Sequence, residues 1–397
     1  MRVLFVINSL GPGGAERSLA EMLPPLADAG VQAVVACFDR RDEGSEAAVV
    51  AQGFEVHFMR AGRTAPRVSE LRRLVRTVRP DIVHTAIFEA DVIGRLASVG
   101  TGAAVVTSLV NTSYGPERLA DPNVGAARLE ACRQVDAWTA RHLTDHFHAI
   151  TVAVKEAAVS SLRVPGERIT VVARGRDPER LGEPSEARRR RARLQLGLGD
   201  DDEVVVSVGR QEYQKGQATL LRALAGLAPD RPRLVLLLAG RRGHASDELA
   251  RLADGHPLGD RLRLLGHRED VPDLLAAGDL FAFPSVYEGL GGAVIEALAL
   301  GLPVVASDLP ALREILEPPL DTFLVPPGDA QMLAGAVARC LDDTALRRHL
   351  SGRARQVFEE RFTLERSVEG MTRLYRQVLA GTPPGGTAAL PLNPPPG

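Results

Sequence analysis

Short apolar runs alternate with amphipathic stretches from the first residue of the chain. Helical patterns lie near residues 14–29, 67–79, 91–99 and 125–145. Apolar runs between and beside them predict six strands, at residues Arg2–Ile7, Ala33–Phe38, Glu55–Phe58, Asp81–His84, Ala104–Ser108 and His148–Val152. Short apolar strands separated by helices are typical of a parallel sheet that is covered on both faces. The first half therefore predicts one Rossmann-like, doubly wound α/β domain.

A second series of apolar runs follows, so that the pattern of the first half is repeated. It predicts strands at residues Val204–Val208, Leu234–Ala239, Arg261–Leu264, Leu280–Phe283, Pro303–Ala306 and Thr322–Val325. With 397 residues the chain is long enough for two complete cores. We therefore expect an N-terminal domain over residues 1–177 and a C-terminal domain over residues 186–360.

The boundary between the two series lies near residues 174–185, where Gly, Pro and mixed charge replace the periodic pattern. A last helical pattern covers residues 364–379. Residues 381–397 end in Pro-Leu-Asn-Pro-Pro-Pro-Gly and contain too little apolar surface for a core. This composition predicts a disordered tail.

The composition is that of an ordinary soluble protein, with 45% hydrophobic and 25% charged residues. The net charge of −2 gives no reason to expect a nucleic-acid partner. The three cysteines are widely spaced, which argues against a disulfide framework. No apolar run reaches the roughly 18 residues of a membrane span. Because the N-terminus itself reads as a strand rather than a signal peptide, we expect a cytoplasmic protein.

Residues 284–309 carry the most informative pattern in the chain. An apolar strand ends at Pro284, a glycine-rich turn follows, and a helix then begins. Backbone N–H groups at such a helix N-terminus form an anion site. Glu288 in the turn and Glu296 in the helix are separated by seven residues, and their carboxylates would accept hydrogen bonds from neutral hydroxyls. A phosphate site beside hydroxyl acceptors indicates a nucleotide sugar.

Two basic residues follow the first strand of the second series. Arg210 and Lys215 lie between Gly209 and Gly216, at the end of a strand where α/β sheets bind ligands. Fixed cations at this position would stabilise the charge that develops on a leaving diphosphate. Lys155 and Lys215 are the only lysines among 48 basic residues. A lysine inside this pattern is therefore hard to attribute to random surface charge.

The motif of residues 284–309 resembles the Glu-x7-Glu signature of glycosyltransferase family 4, the retaining transferases of GT-B fold. Other parts of the family pattern follow in order, and the resemblance covers about residues 1–375. They are Gly11-Pro12-Gly13-Gly14-Ala15-Glu16, Val208-Gly209-Arg210 with Lys215-Gly216, Leu265-Gly266-His267 and Asp279 to Ser285. The chain departs from the family at residues 174–177, where the family often has Asn-Gly-Val-Asp and this chain has Arg-Gly-Arg-Asp.

The resemblance implies two Rossmann-like domains that face an interdomain cleft, with the last helix crossing back onto the first domain. It also implies that Glu296 binds the ribose hydroxyls and that Glu288 lies near the transferred sugar. Together with Arg210 and Lys215, Glu288 forms the predicted catalytic set. The other predicted donor-binding residues are glycine-loop positions that offer backbone N–H groups, namely Gly13, Gly14, Gly289, Leu290 and Gly291.

The acceptor side is predicted from fewer residues. Many family members carry a histidine after the fifth strand, whereas this chain has Asn111 there, which cannot act as a base. That difference fits a front-face mechanism in which the leaving phosphate takes the acceptor proton. His84 and Glu89 follow the fourth strand and are the other candidates for binding the acceptor.

Some groups of residues have competing interpretations. His142, Asp145, His146 and His148 resemble a metal site, but a solvated helix end is the favoured interpretation, and no metal site is predicted. The arginine-rich stretch of residues 67–79 is either a solvated helix face or a peripheral contact with the inner face of the membrane. Gly11 to Gly14 with Asp39 also admit an NAD-binding interpretation, although their order is not Gly-x-Gly-x-x-Gly.

The sequence therefore predicts a metal-independent transferase without a cofactor. It would move a hexose from a UDP- or GDP-sugar to an acceptor hydroxyl with an α linkage. The alternatives are a sugar-nucleotide epimerase of the same fold, a nucleotide-sugar-binding protein without catalysis, and an NAD-dependent oxidoreductase. The base, the sugar, the acceptor and the oligomeric state stay open at this point.

Overall fold

A computed structural model describes residues 1–59, 62 and 64–381. Its contacts divide the chain into two compact units. Unit 1 contains residues 1–115, residues 124–175 and the C-terminal segment that begins at residue 364, whereas unit 2 contains residues 116–123 and 176–363. The predicted disordered tail, apart from Gly381, lies outside the described residues.

The described residues form thirteen strands and seventeen α-helices. The strands are β1 (Arg2–Ile7), β2 (Gln32–Cys37), β3 (Glu55–Phe58), β4 (Ile82–Ala86), β5 (Ala104–Leu109), β6 (His146–Ala149), β7 (Ile169–Val171), β8 (Glu203–Val208), β9 (Leu234–Ala239), β10 (Leu262–Gly266), β11 (Leu280–Phe283), β12 (Val304–Ser307) and β13 (Leu324–Val325). The helices are α1 (Gly14–Asp28), α2 (Glu46–Ala51), α3 (Thr64–Val78), α4 (Phe88–Ser98), α5 (Pro116–Leu119), α6 (Ala126–Leu143), α7 (Val152–Leu162), α8 (Pro178–Leu181), α9 (Glu186–Gln195), α10 (Gln217–Leu227), α11 (Ser246–Ala253), α12 (Val271–Ala277), α13 (Gly292–Ala299), α14 (Pro310–Arg313), α15 (Ala330–Asp342), α16 (Thr344–Arg361) and α17 (Leu364–Leu379).

Unit 1 is built on a seven-stranded parallel sheet in the order β3-β2-β1-β4-β5-β6-β7. Successive residues of β1 point to opposite sides of the sheet, and helices pack on both sides. Leu4 packs with the apolar side of α3, including Leu71. Phe5 packs on the other side with Leu23 of α1 and with Leu374 of α17. The strand order reverses between β1 and β4, which places a ligand-binding crevice at the carboxyl ends of these strands.

Unit 2 repeats this architecture with six parallel strands in the order β10-β9-β8-β11-β12-β13. Its central strands are largely apolar, and Val204 to Val206 of β8 are fully buried. The order reverses between β8 and β11, which are neighbours through the register pair Val205 and Leu280. The loops that follow these two strands therefore leave the sheet side by side. Two doubly wound, Rossmann-like sheets confirm the predicted fold class.

The predicted strands differ from the observed ones mainly at the sixth strand. The predicted strand at residues 148–152 runs into α7, which begins at Val152 after the Thr151 side chain caps it by accepting a hydrogen bond from Val154 N at 3.1 Å. The strand instead begins at His146. The three-residue strand β7 was not predicted, and in it only Ile169 is fully buried. In the last predicted strand, residues 320–323 form a 3₁₀ turn and only Leu324–Val325 is extended.

Candidate functional site

The loops after β8 and β11 are joined to each other at the carboxyl edge of the unit 2 sheet. The Gln214 carbonyl accepts a hydrogen bond from Val286 N at 2.8 Å, and the Gln214 side chain donates to the Tyr287 carbonyl at 2.9 Å. Gly216 makes this close packing possible: its φ is +59°, and a Cβ atom there would lie 1.9 Å from the Pro284 carbonyl oxygen. Only glycine fits such a position without strain. The two sequence motifs are therefore parts of one site.

Lys215 and Glu288 form an ion pair at this junction. The Lys215 ammonium lies 2.5 Å from Glu288 Oε1 and 5.1 Å from the centroid of the Phe283 ring. Glu288 is 8% exposed, and its partner is also shielded. Sequence reasoning assigned the lysine to a diphosphate and the glutamate to a sugar, but it did not predict that each neutralises the other. A ligand that reaches this edge therefore meets a paired, hydrogen-bonding unit rather than two separate charges.

Arg210 supplies an exposed cation at the end of β8. In contrast to Lys215, it has no carboxylate partner within ion-pair distance among residues 1–59, 62 and 64–381. Its position directly after a central strand directs it to the same edge of the sheet as Lys215. The edge therefore offers an unpaired guanidinium to an anionic ligand.

The glycine-rich turn positions the N-terminus of α13 at this edge. Gly291 precedes the helix with a φ of +88°, a left-handed conformation that suits glycine. Leu290 is buried, so that the turn is anchored while its backbone stays close to the sheet edge. The first N–H groups of an α-helix have no partner within the helix, and the helix dipole favours an anion beside them. Arg210 and this helix end therefore both favour an anion at the carboxyl edge of the unit 2 sheet.

Glu296, inside α13, is buried against an arginine from outside the predicted motif. Arg176 Nε donates to Glu296 Oε1 at 2.9 Å, and the two residues are 5% and 3% exposed. Sequence reasoning missed this partner, although the arginine stands where residues 174–177 depart from the family's usual Asn-Gly-Val-Asp. That departure was the available signal, but a boundary between domains gave no indication of the direction of the side chain.

The glycine loop after β1 begins α1, with Gly13 as the extended N-cap residue and Gly14 as the first helical residue. The carboxylate of Glu16 folds over this turn, since a Cβ atom at Gly13 would lie 2.1 Å from Glu16 Oε2. An acid therefore already occupies the end of α1 that attracts anions. This arrangement disfavours the predicted phosphate contact at Gly13 and Gly14 and favours a ligand with hydroxyl groups.

His84 is enclosed in a hydrogen-bonded chain and does not present a free ring nitrogen. It is 6% exposed, and its Nδ1 lies 2.5 Å from the Tyr375 hydroxyl while its Nε2 lies 2.7 Å from Ser108 Oγ. Ser108 Oγ lies 2.8 Å from His148 Nδ1, and His148 Nε2 lies 2.8 Å from the Val172 carbonyl oxygen. The prediction of His84 as an acceptor ligand is therefore replaced by a role inside the core of unit 1.

The carbonyl at the end of this chain determines the direction of every hydrogen bond in it. Burial lowers the pKa of His84 well below its ordinary value and that of His148 to about 4, so both rings are neutral near pH 7. Because the Val172 carbonyl only accepts, His148 carries its proton on Nε2 and accepts at Nδ1 from the Ser108 hydroxyl. His84 then donates from Nε2 to Ser108 and accepts at Nδ1 from Tyr375.

The other acceptor candidates lie at the carboxyl edge of the unit 1 sheet. Glu89 pairs with Arg67 at 2.6 Å, and Arg67 also pairs with Asp39 at 2.9 Å. Asn111 Oδ1 accepts from the Thr112 backbone N–H at 2.9 Å. Asp39, the acid of the NAD-binding interpretation, is thus held by an arginine. Glu89 and Asn111 remain partly accessible at this edge.

The prediction of a solvated helix end holds for His142, which is exposed near the end of α6, but it is wrong for His146 and His148. His146 and His148 belong to β6 and are each 3% exposed, and His146 Nε2 lies 2.9 Å from Thr170 Oγ1. Burial lowers the pKa of His146 to about 4. No group of three or more His, Cys, Asp or Glu side chains within residues 1–59, 62 and 64–381 is placed to hold a metal ion.

The arginine-rich stretch of residues 67–79 belongs to α3, whose apolar side chains Leu71 and Val75 are buried in unit 1. Its first arginine is also buried and engaged by the two carboxylates described above. The apolar side of α3 thus covers the sheet. In the part of the chain that the structure describes, none of the helices has the length and apolar character to cross a membrane.

Comparison with known families and structures gives matches along most of the chain. The profile described as "Glycosyltransferase Family 4" matches residues 12–180, and the one described as "Glycosyl transferases group 1" matches residues 188–357. The alpha-D-kanosaminyltransferase of Streptomyces kanamyceticus is 28% identical over 61% of this chain and 63% of its own length. The UDP-Gal:alpha-D-GlcNAc-diphosphoundecaprenol alpha-1,3-galactosyltransferase of Escherichia coli is 26% identical over 77% of each chain. The matched region thus spans less than two thirds of the first relative's length.

Solved structures of similar fold cover nearly the whole chain. Anabaena Alr3699/HepE, solved in complex with UDP and glucose, has 26% identity and a TM-score of 0.83 over 95% of this chain and 99% of its own. The glycosyltransferase WaaG has 18% identity and a TM-score of 0.75 over 94% and 99%, which shows a common fold. The similarity to both structures extends over both units.

Proposed function

Because this chain belongs to glycosyltransferase family 4 and has the GT-B fold, we propose that it is a retaining glycosyltransferase. It transfers a hexose from a nucleoside-diphosphate sugar to an acceptor hydroxyl with an α linkage. The observation that carries the proposal is the joined pair of loops in unit 2, which brings Arg210, the Lys215–Glu288 pair and the N-terminus of α13 to one edge of the sheet.

The donor's diphosphate binds between Arg210 and the N-terminus of α13. Both features favour an anion, and Arg210 can form bidentate hydrogen bonds to phosphate oxygens. Lys215, which follows the same strand as Arg210 and is paired with Glu288, supplies a second cation as negative charge builds on the leaving group. The residues of this chain thereby neutralise the diphosphate through fixed charges and backbone N–H groups.

Glu288 acts on the transferred sugar, and Glu296 acts on the ribose. The bond between the sugar's anomeric carbon and the donor phosphate oxygen breaks, and the acceptor oxygen bonds to the same carbon from the same face. The acceptor's proton passes to the departing phosphate oxygen, which matches the presence of Asn111 where a basic histidine is common. Glu288, held by Lys215, stabilises positive charge on the anomeric centre by its carboxylate.

We propose uridine as the base and glucose or galactose as the sugar. The support comes from relatives: HepE was solved in complex with UDP-glucose, and the Escherichia coli relative is named for transfer from UDP-Gal. The acceptor binds at the carboxyl edge of unit 1, where Gly13, Gly14, Glu89 and Asn111 present hydroxyl-binding groups. Its chemical class is a sugar hydroxyl.

Two measurements test this proposal in sequence. Thermal-shift measurements with UDP, GDP, ADP and NAD are expected to give the largest stabilisation with UDP. An assay of UDP release from UDP-glucose and UDP-galactose, with and without mono- and disaccharide acceptors, is expected to show transfer to a product with retained configuration. Binding of NAD in place of a nucleoside diphosphate, or inversion at the anomeric carbon in the product, would refute the proposal. Binding of UDP-sugars without transfer or hydrolysis would indicate a nucleotide-sugar-binding protein without catalysis.

Lys215→Ala and Glu288→Gln are expected to reduce UDP release by about 100-fold or more, as for the removal of one electrostatic contact in other enzymes. Lys155→Ala is the matched control, because Lys155 is the only other lysine and lies on α7 of unit 1. Since each change leaves one partner of a shielded pair alone, the thermal unfolding of all variants must be compared. Full activity of both site variants would contradict the assigned roles.

A further inference from the structure

We propose that Arg176 is a positioning residue, which holds the carboxylate of Glu296 in the orientation that binds the donor's ribose hydroxyls. This inference rests on the proposed function, because it gives the ion pair beneath α13 a purpose in donor binding. Arg176 does not belong to the predicted motif. It comes from the segment that leads into unit 2, and it reaches a glutamate 120 residues further along the chain.

The backbone around Arg176 is fixed independently of its side chain. Its N–H donates to the Phe362 carbonyl at 2.8 Å, and the residue forms a parallel bridge with Thr363. The next residue, Asp177, caps α8 by accepting from Glu179 N at 2.9 Å. The guanidinium therefore extends towards α13 from a backbone that is held on both sides. Such support is what a positioning group requires.

Gly292, the first residue of α13, provides the space for the guanidinium. A Cβ atom at Gly292 would lie 2.1 Å from Arg176 Nη2, and 3.2 Å from its Cζ. The planar group thus lies directly against the helix backbone, one turn before Glu296. Because the Nε atom bonds Glu296 while Nη2 rests on the helix, rotation of the guanidinium is restricted. The carboxylate of Glu296 is restricted with it.

A buried ion pair of this kind contributes little to stability that an apolar pair could not supply. Replacing such pairs by well-packed apolar residues is often neutral or stabilising, whereas removing one partner is costly. Arg176 is 5% exposed and Glu296 is 3% exposed, so both partners are buried. An ionised acceptor forms hydrogen bonds about twice as strong as those of a neutral one. A pair beside the proposed ribose site is therefore better explained by ligand binding than by folding.

The test is isothermal titration calorimetry of the full chain with UDP and with 2′,3′-dideoxy-UDP. In the unchanged protein, loss of both hydroxyls is expected to weaken binding by about 10- to 100-fold, the range for hydrogen bonds to a charged group. Arg176→Met is expected to weaken UDP by a similar factor but to change the dideoxy nucleotide by less than about twofold. The two losses are thus expected to be non-additive, which a merely structural role does not produce.

Arg188→Met is the matched control. Arg188 is another shielded arginine of unit 2, and its Nε donates to Asp273 at 2.8 Å. Its loss is expected to leave both affinities unchanged. Arg176→Lys keeps a cation at the position and is expected to recover part of the affinity for UDP. If Arg176→Met does not fold, the lysine variant carries the same comparison between the two nucleotides.

Two results would overturn the inference. Equal weakening of UDP and the dideoxy nucleotide by Arg176→Met would mean that Arg176 acts on the phosphates or on the fold. Unchanged affinity for UDP would mean that Glu296 needs no such support. Absence of the proposed donor site gives a different result, because the unchanged protein would then bind neither UDP nor GDP. In that case the inference falls with the function it rests on.

Discussion

Removal of one hydroxyl group from the core of unit 1 is expected to break the chain of hydrogen bonds that runs from Tyr375 to the Val172 carbonyl. Ser108→Ala is the change, because Ser108 accepts from His84 and donates to His148 at 2.7 and 2.8 Å. Neither ring can find water as a replacement partner, since both histidines are buried. The alanine side chain itself fits, because it is smaller than the serine.

The expected cost follows from the two groups that lose their partners. His84 is left with an unbonded N–H donor, and His148 is left with an unbonded nitrogen acceptor. Each unsatisfied buried group costs about 1–3 kcal/mol, so we expect the unfolding free energy of unit 1 to fall by about 3 kcal/mol. For a unit of this size, that loss corresponds to a decrease in Tm of about 6–12 °C.

The assay uses the single tryptophan of the chain. Trp138 lies on α6 in unit 1, so its fluorescence during urea unfolding reports on this unit separately from unit 2. Ser98→Ala is the control, because Ser98 is equally buried but donates only to the Gly94 carbonyl of its own helix at 2.8 Å. We expect the control to change the unfolding free energy by less than about 1 kcal/mol.

Equal effects of the two substitutions would refute the reasoning. They would mean that the histidines repartner at no cost, or that the directions assigned to the hydrogen bonds are wrong. A loss confined to the unfolding of unit 2 would also contradict it, because every residue in this series of hydrogen bonds lies in unit 1.

Acid is expected to destabilise unit 1 below pH 6.5. Burial lowers the folded-state pKa of His146 and His148 to about 4, so the unfolded chain binds more protons between pH 6.5 and 4, and stability that is present above pH 6.5 is lost as the pH falls. The two residues together predict a loss of about 4 kcal/mol between pH 7.5 and 5, measurable by urea unfolding at each pH, and a flat profile would contradict it. Gly216→Ala is expected to abolish most UDP release, because its Cβ would collide with the Pro284 carbonyl, whereas Gly226→Ala in α10 meets no atom within 4 Å and is expected to stabilise unit 2 by about 0.5–1 kcal/mol. Normal UDP release by the Gly216 variant would show that the two loops need not be in contact.

The sequence was sufficient to predict the two sheets because most of their strands are short, largely apolar runs. Runs such as Leu234–Ala239 have no polar position to suggest another structure, and their predicted bounds equal the observed ones. The prediction was weakest where a strand carries polar residues that are bonded inside the fold. His146 and His148 read as solvent-facing, but the Thr170 hydroxyl and the Val172 carbonyl satisfy them in the core.

The candidate site was predictable at the level of its edge but not of its pairs. The carboxyl ends of neighbouring parallel strands must meet, which brings the residues after β8 and β11 together. The direct contact of Lys215 with Glu288 depends on side-chain directions that follow from Gly216 and from the bonds of Gln214. The position of Arg176 could not be predicted. Its backbone is fixed by the bridge to Thr363, and no local sequence pattern indicates that bridge.

The union of the loops after β8 and β11 has a consequence for how relatives of this protein can diverge. Gln214 and Tyr287 are 73 residues apart, yet a hydrogen bond joins them directly, and a lysine and a glutamate at the same separation form a salt bridge. An insertion or deletion in either loop would disturb both contacts at once. Among relatives of this protein, we therefore expect the lengths and charges of these two loops to change together.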